Sequence, residues 1–217
     1  MSKECEVLHE IICSLKRHHF PFDETTIPQD GIYILFQKGE IGHGAERIVR
    51  IGTHTGEGQL LSRLKQHFLN ENKDRSIFRK NIGRAILKKV NDPFLDQWEL
   101  DLTTRRNKAK YSHKFDLERQ KEIESRVSQY IQKHFSFSVF HIKDKTRRLK
   151  IESQLISTVS LCNDCKPSAE WLGNYSPKTK IRESGLWLVN ELYKTPLTVD
   201  ELKELKKQIK GQSQRGD

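Results

Sequence analysis

The sequence predicts an α+β fold: a small antiparallel sheet of about three strands, flanked by helices. Three observations lead there. Two short runs rich in strand formers, residues 31–36 (GIYILF) and 47–52 (RIVRIG), lie close together. A third, residues 135–142 (FSFSVFHI), comes some eighty residues later. Segments with helical spacing fill the intervals without strict strand–helix alternation, which argues against a parallel βαβ array.

Taken in order, residues 3–19 read as a helix, with Val7, Leu8, Ile11, Ile12 and Leu15 at helical spacing. Two prolines and several turn formers make residues 21–30 a loop. The first two strands, with the polar segment 37–46 between them, form a long-looped hairpin. Helices follow over 58–69 and 78–90, the second halted by Asn91-Asp92-Pro93. Residues 103–114 carry basic side chains and no acid, and read as a loop. A charged helix over about 116–134 leads into the third strand, and another helix spans 146–161. Residues 167–177 are irregular, 185–193 short and apolar, and a last helix over about 198–210 precedes a polar tail. No repeat or long linker divides the chain. It is expected to be one domain over 1–217, with a core at about 30–177, a helical extension at 1–29 and a second extension at 178–217.

Composition narrows the partners. The 39 Lys and Arg against 29 Asp and Glu leave a net charge of +10, which favours polyanions, nucleic acid before an anionic membrane. No apolar run approaches the roughly 18 residues needed to span a bilayer. The first twenty residues carry Glu4, Glu6 and Glu10 and lack the apolar stretch of a secretory signal. A cytoplasmic location is expected, with Cys5, Cys13, Cys162 and Cys165 as reduced thiols. Cys162-Asn-Asp-Cys165 has zinc-knuckle spacing without a matching second pair, so a zinc ion there would have to recruit Cys5, Cys13 or a distant His.

Glu152 is the most informative single residue. Leu149, Leu155, Ile156 and Val159 define an apolar stripe on its helix, and at roughly 100° per residue Glu152 projects from the middle of it. A carboxylate there is costly unless it is ion-paired, hydrogen-bonded or metal-bound, and the pattern leaves these readings open. Arg63 and His67, four residues apart, stack at the margin of the stripe formed by Leu60, Leu61, Leu64 and Phe68. A guanidinium beside an imidazole suits a phosphate, though a solvated helix edge gives the same pattern. Trp171 and Trp187 are expected in the core.

Gly31-Ile32-Tyr33 followed by Arg50-Ile51-Gly52 resembles the paired motifs of the GIY-YIG nuclease superfamily. Arg63 with His67, then Glu152, then Gly173-Asn174-Tyr175 follow in an order similar to the superfamily's Tyr, Tyr, Arg, Glu and Asn. The His four residues after the Arg looks closest to the branch of type II restriction enzymes. Two departures stand out: Arg50 occupies the second tyrosine position, and the interval between the motifs is long. Arg50 either contacts the phosphate and supports Tyr33, or marks a weakened site.

The resemblance implies a GIY-YIG-like fold and a DNA endonuclease that hydrolyses a phosphodiester by metal-assisted, in-line attack. It casts Tyr33 as general base or water-positioning group. A phenol with a pKa of about 10 needs help from His67 or Arg50. Arg63 would stabilise phosphoryl charge, Glu152 would hold one Mg²⁺ or Mn²⁺, and Asn174 would support the site. Arg79, Lys80 and Arg84, together with Arg105, Arg106, Lys108 and Lys110, are the candidate contacts to a phosphate backbone. The rival reading is a nucleic-acid-binding protein that keeps the fold without the chemistry; an RNA substrate and a homodimer are both compatible with the sequence.

Overall fold

The computed structural model describes residues 2–213. The final four residues of the expected polar tail lie outside the described residues. The strands are β1 (His18–His19), β2 (Gly31–Gly42), β3 (Ala45–Gly52) and β4 (Phe135–His141). The helices are α1 (Ser2–Cys13), α2 (Leu60–Phe68), α3 (Ile77–Lys89), α4 (Leu95–Glu99), α5 (Arg105–Tyr111), α6 (Leu117–His134), α7 (Lys145–Ser160), α8 (Thr179–Ser184) and α9 (Val199–Ser213). The sheet runs β1-β4-β2-β3 and every pairing is antiparallel. The three expected strands form its body, and the two-residue β1 adds an edge.

β2 is central and is covered on both faces, so its side chains alternate between two cores. Tyr33 and Leu35 face one core, with side chains from α2, α3, α4 and α6. Ile32, Ile34 and Phe36 face the other, with α1, α7 and α9. Both terminal helices are therefore integral to the packing. The long-looped hairpin is instead a nearly continuous ribbon. Its turn is His43-Gly44, both at positive φ (51° and 74°), as a tight primed turn requires. The surplus polar residues sit within β2, between Phe36 and Ile41, where the register shifts. There Glu40 turns inward and accepts from Arg47 Nη2 at 2.7 Å and Nε at 3.2 Å.

A second irregularity has consequences for the site. Leu35 pairs with Arg50 but Phe36 pairs with Ile48, so Val49 is an extra residue on β3. Arg50, opposite Leu35, already faces the side of Tyr33, and the bulge adds Val49 to that face. Trp187 N–H donates to Val49 O at 2.7 Å, so the 185–189 segment covers the open edge of β3.

Three further expectations are corrected. The N-terminal helix stops at Cys13 rather than near residue 19. His18 extends to pair with Phe137 and stacks on its ring at 5.1 Å between centroids. The acid-free segment 103–114 contains a helix, α5, whose first turn is capped by Thr104 Oγ1 accepting from Asn107 N–H. It buries no side chain, so no apolar period could announce it. The third correction concerns the cations of α3. Arg79, Lys80 and Arg84 are buried and committed to protein partners, not turned toward a phosphate backbone. Arg79, fully buried, binds Glu124 Oε2 through Nε and Nη2 at 3.0 and 2.8 Å and also reaches Glu124 O, Ser128 Oγ and His67 O. Lys80 Nζ donates to Glu99 O and Asp74 Oδ1, and Arg84 forks onto Glu99 with both contacts at 2.6 Å.

Removing one partner of a buried pair leaves the other charge uncompensated. Glu124→Ala is expected to cost about 3–5 kcal/mol in urea unfolding. A loss under about 1 kcal/mol would show that the Arg79–Glu124 pair does not hold α3 to α6.

Candidate active site

Three of the residues singled out in the sequence, Arg50, Arg63 and Glu152, converge on one open cavity of about 500 Å³. Ile77, Asn81, Asn190 and Glu191 complete its polar and apolar walls, with Leu149, Ile156 and Leu188. Each functional group comes from a different element. β3 supplies Arg50, α2 supplies Arg63, α3 supplies Asn81, α7 supplies Glu152, and the segment after Leu188 supplies Asn190 and Glu191.

Glu152 sits where the apolar face of α7 opens onto the cavity, since Leu149 is partly exposed there while Leu155 is buried. Burial pushes its carboxyl pKa up from the usual range, with Glu191 acting in the same direction. Arg50, the Thr53 backbone N–H and Arg63 oppose that shift without cancelling it. Arg63 is steadied by bonds from Nη1 to Gln66 Oε1 at 3.0 Å and to Arg75 O at 3.1 Å. It also lines a second, polar cavity bounded by Thr53, His54, Gln59 and Ser62, so one guanidinium joins two adjacent clefts.

Behind Arg50 lies a chain of hydrogen bonds. Tyr33 Oη is 2.8 Å from His67 Nε2, and His67 Nδ1 is 2.7 Å from Ser76 Oγ. Ser76 caps α3, its Oγ accepting from Arg79 N–H. Burial, then the Arg63, Arg50 and Arg79 charges, hold the His67 pKa well below 6.5. His67 is thus a neutral imidazole at physiological pH. Either neutral tautomer satisfies both contacts; with the proton on Nδ1, donated to Ser76, Nε2 accepts from the Tyr33 hydroxyl. Arg50 Nε approaches Tyr33 Oη at 3.4 Å, while its Nη1 donates to Trp187 O.

Both motif glycines have a steric reason. A Cβ on Gly52 would lie 2.2 Å from Tyr33 Oη, so the tyrosine ring can cross β3 only over a glycine. On Gly31 it would lie 2.2 Å from Phe140 O on the neighbouring strand. Tyr33 itself is only 1% exposed and does not line the cavity; the Arg50 side chain stands in front of it.

Asn174 does not join this group. Its Nδ2 donates to Ser168 O and Ala169 O, closing the irregular loop before α8. The two asparagines at the cavity, Asn81 and Asn190, were not singled out in the sequence. Asn81 Oδ1 accepts from Arg84 at 2.6 Å, but its buried Nδ2 has no hydrogen-bond partner among the described residues. An unpaired buried donor in a cavity wall is a position suited to an acceptor from outside the protein. Neither asparagine carries a sequence signal, because α3 buries polar and apolar side chains alike and 189–191 has no periodic neighbours. Trp171 and Trp187 are core residues, both donating Nε1–H to Gln37 Oε1 at 3.0 Å. Arg105, Arg106, Lys108 and Lys110 are exposed on α5.

No helix among the described residues is long and apolar enough to cross a membrane. No curated protein and no solved structure matches the chain. The family model for the GIY-YIG domain matches residues 8–215, reaching past the expected core into both extensions. The chain belongs to the GIY-YIG domain family, a family of nucleases.

Proposed function

We propose that this protein is a metal-dependent DNA endonuclease whose active site is the cavity bounded by Arg50, Arg63 and Glu152. The observation that carries this reading is the meeting of one carboxylate and two guanidiniums from three separate elements on an open cleft. Two fixed cations suit a bridging phosphate. The unpaired Asn81 Nδ2 supplies a further donor for a phosphoryl oxygen.

The cavity also fits the cation that nucleases of this family generally use. Glu152 and Glu191 offer carboxylate oxygens and Asn190 an amide oxygen, a hard donor set with room for waters, suited to Mg²⁺ or Mn²⁺. Glu152 is the proposed principal ligand. Such an ion, when bound, supplies positive charge for the leaving 3′-oxygen. The chain's own groups do the rest. Arg63 and Arg50 hold the scissile phosphate and stabilise charge on its oxygens. Drawing Arg50 onto that phosphate takes its guanidinium off Tyr33 Oη and frees an oxygen lone pair to accept from the attacking water. With His67 protonated on Nδ1, its Nε2, 2.8 Å from Tyr33 Oη, takes the Tyr33 proton in a hydrogen bond and leaves that lone pair for the water. In this reading Arg50 replaces the family's second tyrosine as both phosphate contact and gate. Asn174 has no part in the chemistry.

The alternative, a binding protein without chemistry, draws on the same burial of Tyr33 behind Arg50. Cleavage of supercoiled plasmid and of long unmodified DNAs with Mg²⁺, Mn²⁺ or EDTA separates the two. Wild type is expected to cut with either metal and not in EDTA. Discrete fragments would support a restriction-type enzyme, and nicking alone a repair-type one. Salt-sensitive binding without cleavage under any condition would support the alternative.

Glu152→Gln is expected to abolish cleavage while leaving DNA affinity within a few-fold of wild type. It carries a second signature. The folded state raises the Glu152 pKa, so it binds a proton more tightly than the unfolded chain and loses stability as pH rises through that interval. Metal-free Glu152→Gln is therefore expected to melt higher than wild type at pH 7 to 8, with the gap closing toward pH 4. Equal melting at both pH values would mean that the carboxylate is not held under strain.

Tyr33→Phe removes the hydroxyl but keeps the ring over Gly52, and should lower the cleavage rate at least 100-fold, in the range of lost acid–base assistance. Full activity would remove Tyr33 from the mechanism. The exposed cations of α5 are the remaining proposed backbone contacts. Arg105→Ala with Arg106→Ala should weaken binding of all sequences alike and reduce the salt slope of log affinity by about 1 to 2. An unchanged slope would place the DNA path elsewhere.

A further inference from the structure

In the core packed by α1, α7 and α9, three distant stretches of chain bring sulfur and imidazole donors together. Cys5 and His9 come from α1, His43 from the turn between β2 and β3, and Cys165 from the loop after α7. One donor atom from each lies within 4.8 Å of all the others. Cys5, His9 and Cys165 are almost completely buried, and His43 is half-buried at the margin. We propose that these four residues form a closed structural zinc site, separate from the oxygen-lined nuclease cavity.

The donor types fit zinc best: two thiolates and two imidazoles, approached as a compact cluster, make the S₂N₂ set that tetrahedral zinc takes. The two thiolates balance the charge of the ion, so the filled site is neutral and tolerates burial. Filling it releases two thiol protons, with no change of oxidation state.

The surroundings are those of a ligand shell rather than of packed thiols. His9 Nδ1 lies 2.9 Å from Cys5 O, one helical turn back. A proton donated there fixes the tautomer and turns Nε2 toward Cys165 Sγ, 3.9 Å away. A backbone carbonyl holding the other ring nitrogen is the usual support of a metal-binding histidine. Cys5 and Cys165 Sγ are 3.6 Å apart with both cysteines unoxidised. The hairpin tip comes in closely, since a Cβ on Gly42 would stand 3.3 Å from Cys165 Sγ. His43 is carried at positive φ, a conformation that its place in the primed turn imposes. Cys162 flanks the site, its Sγ 3.3 Å from His43 Nε2. Of the Cys162–Cys165 pair only Cys165 joins the cluster, with Cys5 and His9, some 155 residues earlier, and His43 as its complement.

The role is structural. Four protein ligands leave no open position for water or substrate. The ion would tie α1 and the hairpin tip to the exit of α7, the helix that carries Glu152.

The test is metal content of the untagged full-length protein, purified from zinc-supplemented cells without chelator, measured by inductively coupled plasma mass spectrometry. One zinc per chain is expected, reduced to background in Cys5→Ser and Cys165→Ser and retained in Cys13→Ser, whose thiol is exposed. Should the serine variants fail to fold, wild type grown with Co²⁺ gives an independent reading. The intense ligand-field bands of tetrahedral cobalt and thiolate-to-cobalt charge transfer are expected. Zinc-free wild type that takes up neither Zn²⁺ nor Co²⁺ would overturn the proposal. So would iron as the resident metal, or zinc that survives loss of both Cys5 and Cys165.

Discussion

The constraint behind the structure is the position of β2, hydrogen-bonded on both edges and covered on both faces. A polar side chain on such a strand has no water to turn to, so each must find a partner within the protein. Tyr33 finds His67, which finds Ser76, which caps α3. Gln37 satisfies both buried tryptophans and bonds Tyr130. Glu40 takes Arg47. These three anchorages join the sheet to α2, α3, α6 and the loops after α7; α2, α3 and the segment from Leu188 are among the walls of the cavity. The rigid placement of the site is thus a by-product of satisfying a buried strand.

Against that background, the cavity is one place where satisfaction is incomplete. Glu152 is held protonation-prone by burial despite two nearby guanidiniums, and Asn81 keeps an amide donor unused. Elsewhere the buried charges of this basic chain are paired, from Arg79 with Glu124 to Arg84 with Glu99. Residual destabilisation in a cleft is what a site built for an external ligand retains. The register completes it: Arg50 stands opposite Leu35, two residues from Gly52 opposite Tyr33, and so shares the face of Tyr33.

Much of this was legible in the sequence. The strand-forming runs, the motif glycines and Glu152 on an apolar stripe are local signals, and they mark the residues that meet at the cavity. What stayed hidden was non-local. Arg79, Lys80 and Arg84 read as a basic face because their partners, Glu124 and Glu99, lie on other helices outside any periodic window. The zinc-type cluster is split among residues 5, 9, 43 and 165, and only Cys165 belongs to the knuckle spacing visible in the sequence. The resemblance points to Asn174 through the order of its motifs, whereas the place of Asn81 and Asn190 in the cavity depends on how α3 and the 185–191 segment fold back. The helix α5 buries nothing, and a helix without a buried face leaves no pattern.

The account turns on Glu152 being the carboxylate that holds the catalytic ion beside Arg50 and Arg63. Crystals of wild type soaked in Mn²⁺ with a short DNA duplex, with anomalous data collected for manganese, address it directly. The account predicts an anomalous peak in coordinating contact with the Glu152 carboxylate, inside the cavity, and a DNA phosphate against Arg63. Manganese bound elsewhere, with Glu152 left empty and the phosphate path avoiding Arg50 and Arg63, would contradict it.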